Sequence, residues 1–406
     1  MEAATASGED CWEGAAGTLL SMSPGSSLSV VYHSLFGSHD DLLLLEVDEH
    51  LLPEMLDQRV TIRGQPDEDA VLCTASATYA LKFVGTSNTV CLVPPGNPSS
   101  KNQQSRCNSN GGPDSPAAAP QTAVSVLKVA SGNMELVQVA PRLDKLKSLL
   151  RKRPYRLEED EDAEDMEDGV KYSSGLYRWD DLVNMIQASD EELMAGLRSL
   201  SAVEINGYWR VVSERSMDDM LRMLLNNSMI QGWKISELKE DEVVPVLVAD
   251  GFPHTIVLHC LGTFGLKKEG NLGDCVWELD EKRVCLHFAK QALSGGKMKL
   301  GNFMEKWISG LPHGMQGDLE MLQGEVLYET LGVETWVHAF SVSDLPSTPA
   351  DRFAALFQER PKWAWKDLQA YVRDLRVPGL SSEALLIKYT RRTQPTADAE
   401  PIFSAR

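Results

Sequence analysis

The 406-residue chain lacks any run of about 18 or more apolar residues, so no segment of it reads as a membrane-spanning helix. Cysteine is sparse: the seven residues are scattered singly, with no C-x-x-C pair, and they read as reduced thiols of a cytosolic or nuclear protein. Positive charge is short as well. Lys and Arg number 39 against 59 Asp and Glu, a net charge of −20, so the chain as a whole repels polyanions and any nucleic-acid contact must be local. The first two dozen residues are small, acidic and almost free of Lys and Arg, which argues against a secretory or mitochondrial leader.

The motifs of catalysis are missing too. "SGGKMKL" has a Gly-Lys pair but neither the earlier glycine nor the magnesium-binding hydroxyl of a phosphate loop. His254 and His259 are five apart and lack the glutamate of a zinc-protease helix. Cys275, Cys285 and His287 have no fourth ligand at a usual spacing, so a buried cysteine with helix residues is the favoured reading. No G-x-S-x-G elbow occurs. The nine acids of residues 158–168 lack the ordered glycine of a calcium loop. The expectation is a non-enzymatic chain with no catalytic residue, cofactor or metal.

What is present falls into blocks. Residues 1–27, rich in Ala, Gly and Ser, are expected as a disordered tail. Residues 28–140 carry short β-like runs ("LLLLEV", "RVTIRG", "AVLCT", "TYALKFV", "TVCLV", "TAVSVLKVA", "MELVQVA") with turn residues between them, which predicts a small barrel or sandwich. They are interrupted by a low-complexity loop at 94–121. A basic amphipathic helix and the acidic linker occupy 141–169. Helical periodicity then takes over. Trp179, Leu182, Val183 and Ile186 share one helix face. Ser189 with Glu192 forms a capping box, and Leu193, Leu197 and Leu200 line a second helix. Asn206-Gly207 supplies the two positive-φ residues of a tight hairpin.

Helix, helix and hairpin read as a winged helix over 170–213. Residues 214–280 are expected as a helical connector. Second and third winged helices are placed at 281–345 and 346–392, with a tail at 393–406. The fold class expected is therefore a multidomain α+β chain, an antiparallel β-barrel followed by tandem winged helices.

Residues 351–392 hold nine Lys and Arg against five Asp and Glu, a local surplus in an acidic protein. Lys362, Lys366, Arg373, Lys388, Arg391 and Arg392 are the candidate DNA contacts, the last three placed at the end of the final helix. An ordinary helix C-terminus, where cations are favoured, explains those three about as well. The basic segment Arg142 to Arg156 reads as an acid-binding or nuclear-import stretch or, more commonly, an exposed amphipathic helix.

"VTIRGQPDEDAVLCTASATYALKFVGTSN", "KLKSLLRKRPY", "QASDEELMAGLRSLSAVEINGYWRVV" and "LPSTPADRFAALFQERPKWAWKDLQAYVRDL" through "ALLIKYTRR" occur in that order. These four collinear blocks resemble the Dcc-type sister chromatid cohesion proteins over most of residues 35–392. One departure is Ala370, where the family usually carries Pro.

The resemblance implies a non-catalytic subunit of the alternative replication factor C clamp loader that acts in chromosome transmission fidelity. That complex loads the sliding clamp PCNA on DNA, is linked to DNA polymerase epsilon and supports sister chromatid cohesion in the nucleus. The implied partners are the large and small cohesion subunits of the loader, the shared small subunits, PCNA, the polymerase and DNA, with no membrane. Strands from partners would complete the β-barrel, with Leu44, Val47, Val60, Ile62, Arg63, Leu81 and Phe83 as contacts and Trp209 as a further apolar anchor. The competing reading is a transcription regulator built on tandem winged helices. Acidity and the lack of Arg or Asn clusters on the expected recognition helices speak against it.

Overall fold

The computed structural model describes residues 28–93, 122–157, 175–269, 275–394, 396 and 399–406. The expected tail 1–27, loop 94–121 and acidic run 158–168 lie outside the described residues. The fold is mixed α+β, and among the described residues no sheet closes into a barrel. The chain divides into two compact units: Met1–Leu51 with Leu81–Leu136, and Leu52–Ala80 with Val137–Arg406.

The first elements are β1 (Leu28–Tyr32), β2 (Leu45–Glu46), α1 (Leu52–Asp57), β3 (Thr61–Arg63) and β4 (Val71–Cys73). The long β5 (Thr78–Leu92), β6 (Thr122–Val126) and β7 (Lys128–Val139) follow. In the smaller unit, among the described residues, β1 pairs only with β6 and β2 pairs with β7, and both pairs are parallel. The antiparallel barrel expected here is thus replaced by open, partly parallel sheets. Parallel neighbours need long crossovers, and more than ten residues separate β1 from β6, so the short-turn logic that suggested antiparallel hairpins does not apply to this pair.

Gly132 fixes the close approach of β7 to β5. A Cβ there would sit 2.2 Å from the Val84 carbonyl oxygen, so no larger residue fits.

In the larger unit, β3, β4 and the first residues of β5 form an antiparallel meander. The alternation read from "RVTIRG" is real, but its faces are reversed. Ile62 is 64% exposed, whereas Arg63 is 7% exposed. The guanidinium of Arg63 donates to the Ala188 carbonyl and to the Asp190 carboxylate, and Nε donates to Thr61 Oγ1 at 3.2 Å. A buried cation is tolerable only with such partners.

Helix α2 (Leu143–Arg151) is followed by α3 (Trp179–Met185), α4 (Asp190–Ser199), β8 (Ala202–Ile205) and β9 (Tyr208–Val211). The sequence signals hold here. Ser189 and Glu192 make the reciprocal capping box, and Asn206 and Gly207 turn the hairpin at φ 52° and 82°. The meander docks on this corner. Thr78 Oγ1 donates to Glu192 Oε2 at 2.6 Å and accepts from the Ser189 N–H at 2.9 Å, while Gln187 donates to the Asp69 carbonyl at 2.6 Å. The start of α4 therefore has its free backbone donors satisfied from two sides.

Helix α2 buries Leu146, Leu149 and Leu150 against α4, where Gly196 lets it come close: a Cβ there would lie 2.9 Å from Leu143. Its basic residues are spent within the chain. Lys145 pairs with Glu68 at 2.8 Å, Arg151 with Asp344 at 2.9 Å, and Lys147 with Asp344 and the Ser343 carbonyl.

Three larger modules follow. The first has α5 (Glu214–Gln231), β10 (Leu238–Lys239), α6 (Glu240–Ala249), α7 (His254–Phe264), β11 (Gly265–Glu269) and β12 (Cys275–Leu279). The next has α8 (Glu281–Ala292), β13 (Met298–Lys299), α9 (Leu300–Gly310), β14 (Val326–Leu331) and β15 (Glu334–Ala339). The last has α10 (Pro349–Glu359), β16 (Lys362–Ala364), α11 (Trp365–Val372), α12 (Ser382–Tyr389), β17 (Thr390–Thr393) and β18 (Ile402–Ala405).

Each module opens with a helix, sets down a short strand, and ends in a hairpin whose second strand lies central, in the orders β10-β12-β11, β13-β15-β14 and β16-β18-β17. Their first helices begin at Glu214, Glu281 and Pro349, so 67 and then 68 residues separate the starts. Residues 214–280, expected as a helical connector, thus contain three strands, and residues 402–405, expected as tail, form the central strand of the last sheet. The short strands escaped sequence reading because two or three residues carry no period. Ala370 lies buried inside α11.

Candidate partner and nucleic-acid surfaces

The smaller unit has few apolar residues inside. Among its described residues only Leu51, Val124, Val126 and Ala130 are buried hydrophobics. Its surface carries Val30, Val31, Tyr32, Leu35, Phe36, Leu42, Leu43, Phe83 and Val84, with Tyr32 76% and Phe83 61% exposed. Tyr32 and Phe36 are both exposed and touch with their rings tilted by 49°, at a centroid distance of 4.4 Å. A contiguous apolar surface rimmed by polar residues marks an interaction site, and the open edges of the two-stranded β1–β6 sheet are templates for further strands.

The expected partner contacts distribute unevenly. Phe83 and Ile62 are exposed, while Leu44, Val47, Val60 and Leu81 are half-buried. Arg63 is committed inside the chain, as described above. Trp209 packs against the core of the first helix-and-hairpin unit, and its backbone N–H donates to the Tyr177 carbonyl at 2.9 Å. Sequence reading missed Tyr32, Leu35 and Phe36. The β-branched run "LSVVY" carried the signal.

The candidate DNA contacts belong to the last module, and all six are exposed. Helix α12 ends at Tyr389, so Arg391 and Arg392 lie on the edge strand β17, not on the helix where the sequence reading put them. Lys362 and Arg391 flank Ser404 on either side of β18 and share one row of the sheet. Lys388 lies over the Tyr389 ring at 5.2 Å, and Arg392 donates to Gln394 at 2.6 Å. Arg391, Arg392 and Arg406 line one groove beside Ile387 and Phe403. Arg373 lines a different pocket with Phe353 and Trp365, and Lys366 stands in the first turn of α11. Arg406 was missed because it lay in the presumed tail.

His287, His259 and Cys285 face inward. His287 is held below its ordinary value, first by burial, although its hydrogen bond of 3.0 Å to Asp218 works the other way. Burial also pulls His259 down and pushes the Cys285 thiol up to about 11. Among the described residues no group of three or more His, Cys, Asp or Glu is assembled as a metal site.

These features define a mixed α+β protein of consecutive helix-and-hairpin modules preceded by an open, apolar β unit. Residues 42–372 match the family model of the sister chromatid cohesion protein Dcc1. The human sister chromatid cohesion protein DCC1 is 31% identical over 86% of this chain and 85% of its own length. The zebrafish protein is 32% identical over 89% and 90%, and the budding-yeast protein 25% identical over 46% and 51%. The chain belongs to the Dcc1 family of sister chromatid cohesion proteins, whose role is in sister chromatid cohesion.

Proposed function

We propose that the chain is a non-catalytic subunit of the alternative replication factor C clamp loader, acting in the nucleus, where that complex loads PCNA and is linked to DNA polymerase epsilon. The observation that carries this reading is the smaller unit, which leaves more large apolar side chains outside than inside. Strands of the large and small cohesion subunits would cover that surface and complete a barrel that this chain leaves open. The helix-and-hairpin modules are read as winged helices. The last of them offers Lys362, Lys388, Arg391 and Arg392 to DNA phosphates, while the acidity of the rest restricts binding to that face.

Co-expression of the full chain with the small cohesion subunit and the tail of the large subunit tests the first part. A three-chain complex is expected from wild type and its loss from Tyr32→Asp with Phe83→Asp; retention of the complex by the double variant would sink the shared barrel. For DNA, reversing Lys388, Arg391 and Arg392 is expected to weaken binding and flatten its salt dependence. An unchanged slope would move the contact elsewhere.

A further inference from the structure

A groove of about 520 Å³ lies between the end of α5, the middle of α8 and the segment following α9, and shares no lining residue with the two surfaces described above. Arg222, Leu225 and Met229 recur at i, i+3 and i+7 on α5 and line it. Gly232, in the left-handed conformation at φ 71°, stops that helix, and the Trp233 N–H bonds back to the Ser228 carbonyl at 2.9 Å. This turn brings Trp233 onto the groove wall, opposite Phe288 and the Leu311-Pro312 corner.

The α5 end is unusually apolar for a surface, with Met229 67% and Ile230 77% exposed. Although the chain has 59 carboxylates, none lines this groove; its charged and titratable members are Arg222, Lys234 and His313. Arg222 is bound by Asp218 at 2.8 Å and lies 5.1 Å from the Phe288 ring centroid, whereas Lys234 makes no ion pair among the described residues.

We propose that this groove is a docking site for a short linear acidic peptide bearing a large apolar anchor. The anchor is an aromatic or leucine side chain seated between Trp233, Phe288 and Leu311, and the flanking carboxylates meet Lys234 and the free edge of Arg222. Charge selects the partner: the groove is lined by cations and by no carboxylate, and its apolar walls give an acidic peptide something that a nucleic-acid backbone does not use. The inference is independent of the clamp-loader reading, because it uses neither the β unit nor the last module.

The test is fluorescence anisotropy of the full chain with a fluorescein-labelled synthetic peptide of Asp and Glu carrying a central Phe-Leu pair. Its control carries Ser-Ser in place of Phe-Leu. Met229 and Lys234 are both exposed, so Met229→Asp and Lys234→Glu should leave the melting curve unchanged. Wild type is expected to bind the first peptide and not the control. Met229→Asp is expected to lose about tenfold in affinity and Lys234→Glu about fivefold, as for truncation of an interface anchor and of a rim charge. The proposal is overturned by no binding, by equal binding of the Ser-Ser control, by equal affinity of the three proteins, or by displacement of the peptide with a single-stranded oligonucleotide. A wild-type dimer that Met229→Asp converts to monomer would overturn it as well, by assigning the groove to a second copy.

Discussion

The smaller unit and the last module are opposite solutions to the same problem. The module turns its apolar side chains inward, against one another and against β14. Trp363, Leu356, Leu368 and Tyr371 are buried together, Trp363 Nε1 donates to the Leu356 carbonyl at 2.9 Å, and Tyr371 reaches the Val326 carbonyl at 2.9 Å. Even its buried cation, Arg352, is matched by both oxygens of Asp374 at 3.2 Å. The smaller unit has comparable apolar material but turns most of it outward. What separates the two is geometry: helices pack on the sheets of the modules, whereas among the described residues the β1–β6 pair has no third strand. Two strands alone are marginal in water.

The comparison can be broken from either side. Trp363→Ala should cost the last module about 3–5 kcal/mol and appear as an early melting transition. Capture of partners by the β unit should survive it, and co-purification beside a thermal melt would show whether it does. Gly132→Val should do the reverse, costing about 3 kcal/mol through overpacking against the Val84 carbonyl, with loss of partner capture and unchanged melting of the modules.

Arg63→Ala should cost about 2 kcal/mol by leaving the Ala188 carbonyl short of a donor; hydrogen exchange at the start of α4 should rise more than elsewhere. Lowering the pH should have a smaller effect. His259 and His287 are held below the ordinary value of 6.5, so below it the unfolded chain takes up protons that the folded chain refuses. Stability is therefore fully present above pH 6.5 and falls as the pH drops towards the depressed folded values. Melting at pH 7 and pH 5 should show the loss, and His287→Gln should reduce it. The smallest effect is expected from Tyr32→Asp and Phe83→Asp on the isolated chain, within about 0.5 kcal/mol, because these side chains are already in water. A large destabilisation would mean that they are covered after all.

The sequence carried local chemistry well and pairing poorly. Ser189 with Glu192 and Asn206-Gly207 are signals within four residues, and each sits where it was read. Strands of two or three residues such as β10, β13 and β16 are defined only by the distant hairpin they join, so no period announces them. Ile62 and Arg63 show the limit most clearly. Alternation identified the strand, but which face turned inward depended on a carbonyl and a carboxylate more than a hundred residues away. For the candidate surfaces, the positive residues were legible as a local excess of charge. Their division between a strand row, a groove and a separate pocket was not, because it follows from where β18 runs.

That strand has a further consequence during synthesis. Residues 402–405 hold β16 and β17 apart and join them, so both flanking strands stay unpaired until this segment has left the ribosome. A premature stop or a proteolytic cut just past Thr393 would leave Phe403 missing from the core and two strands without their shared neighbour. The cell would meet such a product as an unfolded module, open to degradation, and not as a shortened working one. The last sheet acts in this way as a test that translation has passed residue 405.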